Sequence, residues 1–85
     1  MALHLSYFAW VRDRMGMAEE TVEPPAGIEN IAALIAWLAA RDGRGARAFA
    51  DEGRIRVAID GRMAGPESVI AGARDVALFP PVTGG

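Results

Sequence analysis

The residues that could do chemistry in this 85-residue chain stand at its end, in Phe79-Pro80-Pro81-Val82-Thr83-Gly84-Gly85. Pro80 and Pro81 remove two consecutive backbone donors and favour extended geometry, so a strand that arrives at Phe79 cannot continue through them inside a sheet. Val82 to Gly85 is therefore expected to leave the fold as a free tail. Its last two residues carry no side chain, so the Gly85 carboxylate can enter a passage too narrow for any Cβ. We read that carboxylate as the working group, with Phe79, Pro80, Pro81, Val82, Thr83 and Gly84 as the segment a partner grips.

Other chemistry is scarce. The chain has no cysteine, which removes disulfides, thiolate metal sites and a cysteine nucleophile. His4 is the only histidine, so it reads as a surface or satisfied strand residue and not as a metal ligand. The two serines, Ser6 and Ser68, do not fit the helix-start position that a phosphopantetheine attachment needs. No acid, base and nucleophile set converges, so catalysis by the chain alone is not expected. All nine basic residues are arginine, which leaves the α-amino group of Met1 as the only primary amine and constrains any acyl transfer.

A net charge of −2 and a pI near 5.2 argue against nucleic acid, whose phosphates need a cationic surplus, and favour protein partners. The arginines from Arg41 to Arg62 alternate with Asp42, Asp51, Glu52 and Asp60 and read as a solvated mixed face. The longest apolar run, Ile31 to Ala40, is about half of the roughly 20 residues a spanning helix requires. No basic segment precedes the first apolar residues, so no secretory signal is expected and the chain reads as cytoplasmic.

The composition, 52% hydrophobic and 24% charged, is that of a small globular domain, assigned to residues 1–81 with the tail at 82–85. Leu3 to Trp10 alternates as a first strand, and Val11 to Met15 forms a charged turn or short helix closed by Gly16. Glu20 to Glu23 is a second strand stopped by Pro24-Pro25, pairing with the first through a wide connection. A helix follows, with Gly27 as N-cap, Glu29 in its first turn, Ile28, Ile31, Leu34, Ile35 and Leu38 on one face, and Gly43 as terminator. A short turn surrounds Phe49. Arg54 to Asp60 is a third strand, Asp60-Gly61 turns into Arg62 to Ala64, Val69 and Ile70 return to the core, and Asp75 to Phe79 is the last strand. Met15, Met17 and Met63 read as gap fillers or interface contacts, Trp10 and Trp37 as core or its margin. One sheet on one main helix, with the first and last strands parallel at its centre, makes an α+β domain of β-grasp type.

Three stretches carry a resemblance: Phe8-Ala9-Trp10-Val11-Arg12-Asp13-Arg14-Met15-Gly16, Val57-Ala58-Ile59-Asp60, and Leu78-Phe79-Pro80-Pro81-Val82-Thr83-Gly84-Gly85. Through them the chain resembles the small subunit of molybdopterin synthase, a ubiquitin-like sulfur carrier. It departs at Ile70 to Asp75, where the family often has an acidic-glycine turn, and at Asp60, where asparagine is common. The resemblance implies that a partner enzyme adenylates the Gly85 carboxylate with ATP and that sulfur then replaces the adenylate. It further implies docking on a large catalytic subunit, as a heterotetramer, where the thiocarboxylate gives sulfur to a pterin precursor in building the molybdopterin dithiolene. No stably bound cofactor is implied for this chain. Two other readings stand beside this one: a sulfur carrier for thiamin thiazole or transfer-RNA thiolation, and a non-covalent β-grasp interaction module.

Overall fold

The computed structural model describes residues 2–81, with the side chain of Glu52 left aside. The element order is β1 (Leu3–Tyr7), α1 (Ala9–Met15), β2 (Glu19–Val22), α2 (Ile31–Arg41), α3 (Gly43–Ala48), a single 3-10 turn (Glu52–Arg54), β3 (Arg56–Ile59), β4 (Arg62–Ala64) and β5 (Asp75–Phe79). The five strands form one sheet in the order β2-β1-β5-β3-β4. β1 and β5 run parallel at its centre, and every other pair is antiparallel. This is the β-grasp arrangement expected from the strand and helix order.

Alternation divides the sheet into two unlike faces. Leu3, Leu5 and Tyr7 of β1 point with Val76 and Leu78 of β5 into a core closed by Ile31, Leu34, Ile35 and Leu38 of α2. These four residues at the spacing i, i+3, i+4, i+7 bury one helical stripe, while the alanines between them keep the helix near the strands. The opposite face, with His4, Ser6, Ala77 and Phe79, is only half-buried, and no helix among the described residues buries it.

Several expected boundaries move, each for a local reason. The first strand ends at Tyr7, not Trp10, because Val11 and Met15 both reach zero exposure from one helical face, which needs α1 to begin at Ala9. Trp10 thus lies on a helix, stacked under Arg14 at 4.3 Å from the ring centre, and Gly16 caps that helix at φ 75° as foreseen. The N-cap of α2 is Asn30, not Gly27, since the Asn30 Oδ1 accepts the N–H of Ala33 at 2.8 Å and glycine has no such acceptor. Ile28 and Glu29 therefore precede the helix, and no acid stands in its first turn. Gly43 does not end the helical region. Asp42 closes α2 and at once caps α3, its Oδ1 accepting from Gly45 N–H at 2.8 Å.

The third strand begins at Arg56, because Arg54 is taken up in the 3-10 turn, although Ile55 is buried as foreseen. Val69 does not return to the core and is 65% exposed, since its backbone bridges Asn30 and the chain turns inward only at Ile70. Of the methionines, Met15 fills the core, Met17 packs at its margin, and Met63 is 67% exposed on β4.

Arg41 leaves the expected solvated face. Its guanidinium donates to both Glu20 oxygens at 2.8 and 3.1 Å, and Tyr7 Oη–H donates to Glu20 Oε2 at 2.7 Å, so β1, β2 and the end of α2 share one network. Burial draws the Glu20 carboxyl upward, but the Arg41 and Tyr7 hydrogen bonds outweigh it and hold Glu20 below its ordinary value. Tyr7 moves far upward, through burial first and the Glu20 contact second.

Candidate functional site

The candidate segment begins in the middle strand of the five. β5 is paired on both sides, with Leu78 opposite Tyr7 of β1 and Phe79 opposite Arg56 of β3. The Phe8 N–H donates to the Leu78 carbonyl at 3.2 Å and makes the last contact on the β1 side. Beyond Phe79 the two prolines offer no N–H, the ladder stops, and Pro80 and Pro81 remain half-buried. Among the candidate residues, Phe79, Pro80 and Pro81 thus stand together at the sheet's end. Val82, Thr83, Gly84 and Gly85, and with them the free-tail expectation, lie outside the described residues.

Phe79 shares the uncovered face of the sheet with Ala77, so its ring is not part of the helix-covered core. Phe8, 50% exposed, stands at the end of β1 beside it. Sequence reading did not single out Phe8 or Arg56 as neighbours of the tail. The signal available was topological: once β1 is parallel and β3 antiparallel to β5, the C-terminal end of β1 and the N-terminal end of β3 must fall where the tail leaves.

The other end of β5 is fastened by polar contacts. Asp60 Oδ1 accepts the N–H groups of Asp75 and Arg74 at 2.9 and 3.0 Å, and these two bonds hold its carboxyl below the ordinary range. Ser6 Oγ–H donates to Asp75 Oδ1 at 2.9 Å. His4 Nδ1 lies 2.6 Å from the same oxygen, and its Nε2 lies 2.8 Å from Glu19 Oε1. The single histidine is therefore satisfied, as expected, and it joins β2, β1 and β5. Its two nitrogens face opposite carboxylates, so Asp75 and Glu19 cannot share an ion on one nitrogen. Among the described residues no group of metal-binding side chains assembles.

Both His4 contacts can be donated at once only by the imidazolium. The hydrogen bonds to Glu19 and then Asp75 accordingly raise its pKa above the ordinary 6.5. A raised folded-state value means stability that is fully present below pH 6.5 and lost as the pH climbs through the folded value. Urea midpoints are expected to fall between pH 6 and pH 8.5 in the parent chain, and His4→Gln should flatten that slope. An unchanged slope in the variant would remove His4 as its source.

Among the described residues no helix is long and apolar enough to cross a membrane. The site has one polar, fastened end and one aromatic, proline-ended exit, and among the described residues it holds no reactive side-chain set. What the described residues form is a strand paired on both sides that ends at Phe79, followed by two prolines.

A family model described as the ThiS family matches residues 5–85, a span that includes the whole candidate segment. No curated protein matches the chain. Among solved structures the chain is similar to SAMP1 from Haloferax volcanii, at 26% identity over 100% of both chains with a TM-score of 0.74. It is similar also to a putative molybdopterin converting factor, subunit 1, from Pyrococcus furiosus, at 23% identity over 96% of this chain and 99% of that one, TM-score 0.73. A third likeness is to the small archaeal modifier protein 1 of Methanosarcina acetivorans, at 23% identity over 99% of this chain and 96% of that one, TM-score 0.68.

Proposed function

Because the chain belongs to the ThiS family, we propose that it is a sulfur carrier whose Gly85 carboxylate is the group that travels. The carrying observation is the central strand that ends at Phe79, just before Pro80-Pro81, with Val82-Thr83-Gly84-Gly85 following in the sequence inside the matched span. A carboxylate is a poor electrophile, so a partner enzyme first joins it to the α-phosphate of ATP and releases pyrophosphate. A sulfur nucleophile then adds to the carbonyl, AMP leaves, and a thiocarboxylate remains. The carrier's residues supply grip and reach: Phe79 as a half-buried anchor, the prolines as a stiff stem, Val82 and Thr83 as contacts, and Gly84 and Gly85 as a thread without side chains.

The Phe79-Pro80-Pro81 stem favours the molybdopterin pathway within this reading. There the chain docks as small subunit on a large catalytic subunit, in a heterotetramer, and its sulfur enters a pterin precursor. The setting is cytoplasmic, and ATP is consumed by the activating partner. The likeness to SAMP1, a small archaeal modifier by name, favours a second reading in which the activated carboxylate is joined to an amine of another protein.

Incubation with ATP, the activating enzyme and a sulfur source should add the mass of one oxygen-to-sulfur exchange. Pterin sulfuration with the large subunit then supports the first fate, and amide adducts on other proteins the second. Absence of any exchange would reject the carrier reading. Phe79→Ala should weaken docking on the large subunit by about 2–4 kcal/mol. Its melting temperature should move little, because the ring lies on the uncovered face.

A further inference from the structure

The chain holds nine arginines and no lysine, and one of the arginines stands where the last strand ends. Arg56 is directly opposite Phe79 in the β3–β5 ladder, a strand spacing of about 5 Å. The six residues from Phe79 to Gly85 extend to at most about 20–22 Å, so a terminal group on that tether can meet position 56 with chain to spare. Arg54, in the 3-10 turn just before β3, shares this end of the sheet. Arg74 does not. It precedes β5, beside His4 of β1, about 16–17 Å back along the strand direction. The exposed Arg56 guanidinium donates only to the backbone carbonyls of Gly53 and Ile55, at 2.9 and 3.4 Å, bonds that an ammonium could also donate. Packing among the described residues therefore does not call for arginine over lysine there.

Acyl chemistry does call for it. Once the Gly85 carboxyl is joined to AMP, any neutral amine within reach competes with the sulfur nucleophile. Nitrogen adds to the carbonyl, AMP leaves with the bonding pair, the nitrogen gives up a proton, and an amide remains. A lysine on a short tether meets its target at an effective concentration in the millimolar range, and at pH 8 about one ammonium in 250 is a free amine. A guanidinium spreads its charge over three nitrogens and offers no free lone pair near neutral pH. Resting on the carrier function proposed above, we propose that Arg56 is a specificity-determining residue. It gives the root of the tail a cation that cannot accept the acyl group, and so commits the activated carboxyl to acceptors on other molecules.

Arg56→Lys and Arg54→Lys place an amine at the root of the tail, and Arg74→Lys places one at the far end of β5. All three positions are exposed, so melting temperatures should stay near the parent's. Each full chain is incubated with the activating enzyme and ATP, with the sulfur source withheld. Pyrophosphate release then reports adenylation, and intact mass reports the fate of the acyl group. Arg56→Lys and Arg54→Lys should each yield a species lighter by one water, in a fraction independent of carrier concentration, with peptide mapping placing the amide between the new lysine and Gly85. Arg74→Lys should yield severalfold less, and the parent and Arg56→Gln none. Absence of the lighter species from both root variants, at the parent's rate of pyrophosphate release, would overturn the proposal while the carrier function stands. An equal yield from Arg74→Lys would overturn it too, since position at the root would then not matter. Loss of pyrophosphate release in both root variants would do the same, by making the guanidinium a docking contact. If the parent chain itself releases no pyrophosphate, the carrier function fails and the proposal falls with it.

Discussion

A chain lacking Gly85, and a chain extended by one alanine after it, are both expected to gain no sulfur when incubated with ATP, the activating enzyme and a sulfur source. The effect should be near total in each, because the two changes remove different requirements. Deletion shortens the reach by one residue, about 3.3–3.6 Å of extended chain, and withdraws the carboxylate from the phosphorus it must attack. Extension keeps the reach but places a Cβ in a passage matched to glycine. Attack geometry is sensitive enough that a displacement of about 1 Å can cost on the order of a hundredfold in rate. Intact-mass measurement of carrier recovered after incubation reads the outcome directly. Sulfur transfer to the pterin precursor by either altered chain, with the large subunit present, would show that the terminal carboxylate is not the carrier group.

The largest stability effect should come from Gly45→Ala. A Cβ at Gly45 would stand 1.9 Å from the Leu38 carbonyl oxygen and 2.9 Å from its carbon, both backbone atoms of α2. No rotamer change relieves that overlap. α3 must move away from α2, which opens the buried contacts of Ala48 and Phe49. A loss of about 3–5 kcal/mol is expected, a large share of the roughly 5–15 kcal/mol available to a small domain. Gly43→Ala, two residues earlier, meets only the Arg47 guanidinium at 3.6 Å and should be neutral or slightly stabilising. Urea denaturation of the pair reads the contrast, and equal midpoints would mean that α3 is free to shift.

The two glycines also show where sequence reading reaches its limit. Gly43 follows an apolar helical stripe and carries the usual signature of a terminator, whereas in the structure Asp42 performs both the stop and the restart. Gly45 has no local signature, because the constraint on it comes from the Leu38 carbonyl on a neighbouring helix. The same division runs through the site. Val76, Leu78 and Phe79 were legible because alternation and the two prolines are properties of adjacent residues. Arg41 looked like one more solvated arginine, since its partners Glu20 and Tyr7 lie 21 and 34 positions away in the sequence and only the fold brings them together. Asn30 was missed for a different reason: Gly27 and Asn30 both occur before the stripe, and only the reach of the Asn30 side chain to Ala33 decides between them.

The parallel pair at the sheet's centre bears on how the protein comes to be folded. His4 and Asp75, paired across that junction, are 71 residues apart, while the β1–β2 and β3–β4 ladders each join nearby segments. The two hairpins can assemble early, but closing the longest loop in the chain must precede any contact between them, and such non-local closure slows folding. Until β5 docks, β1 and β3 each present a bare inner edge, carrying Leu3 and Leu5 on one and Val57 and Ile59 on the other, with Arg56 the one arginine or carboxylate among them. A nascent or proteolytically clipped chain that lacks β5 is therefore an aggregation hazard, not a partly active carrier. The strand that bears the tail is also the one that makes the rest of the sheet safe from its neighbours.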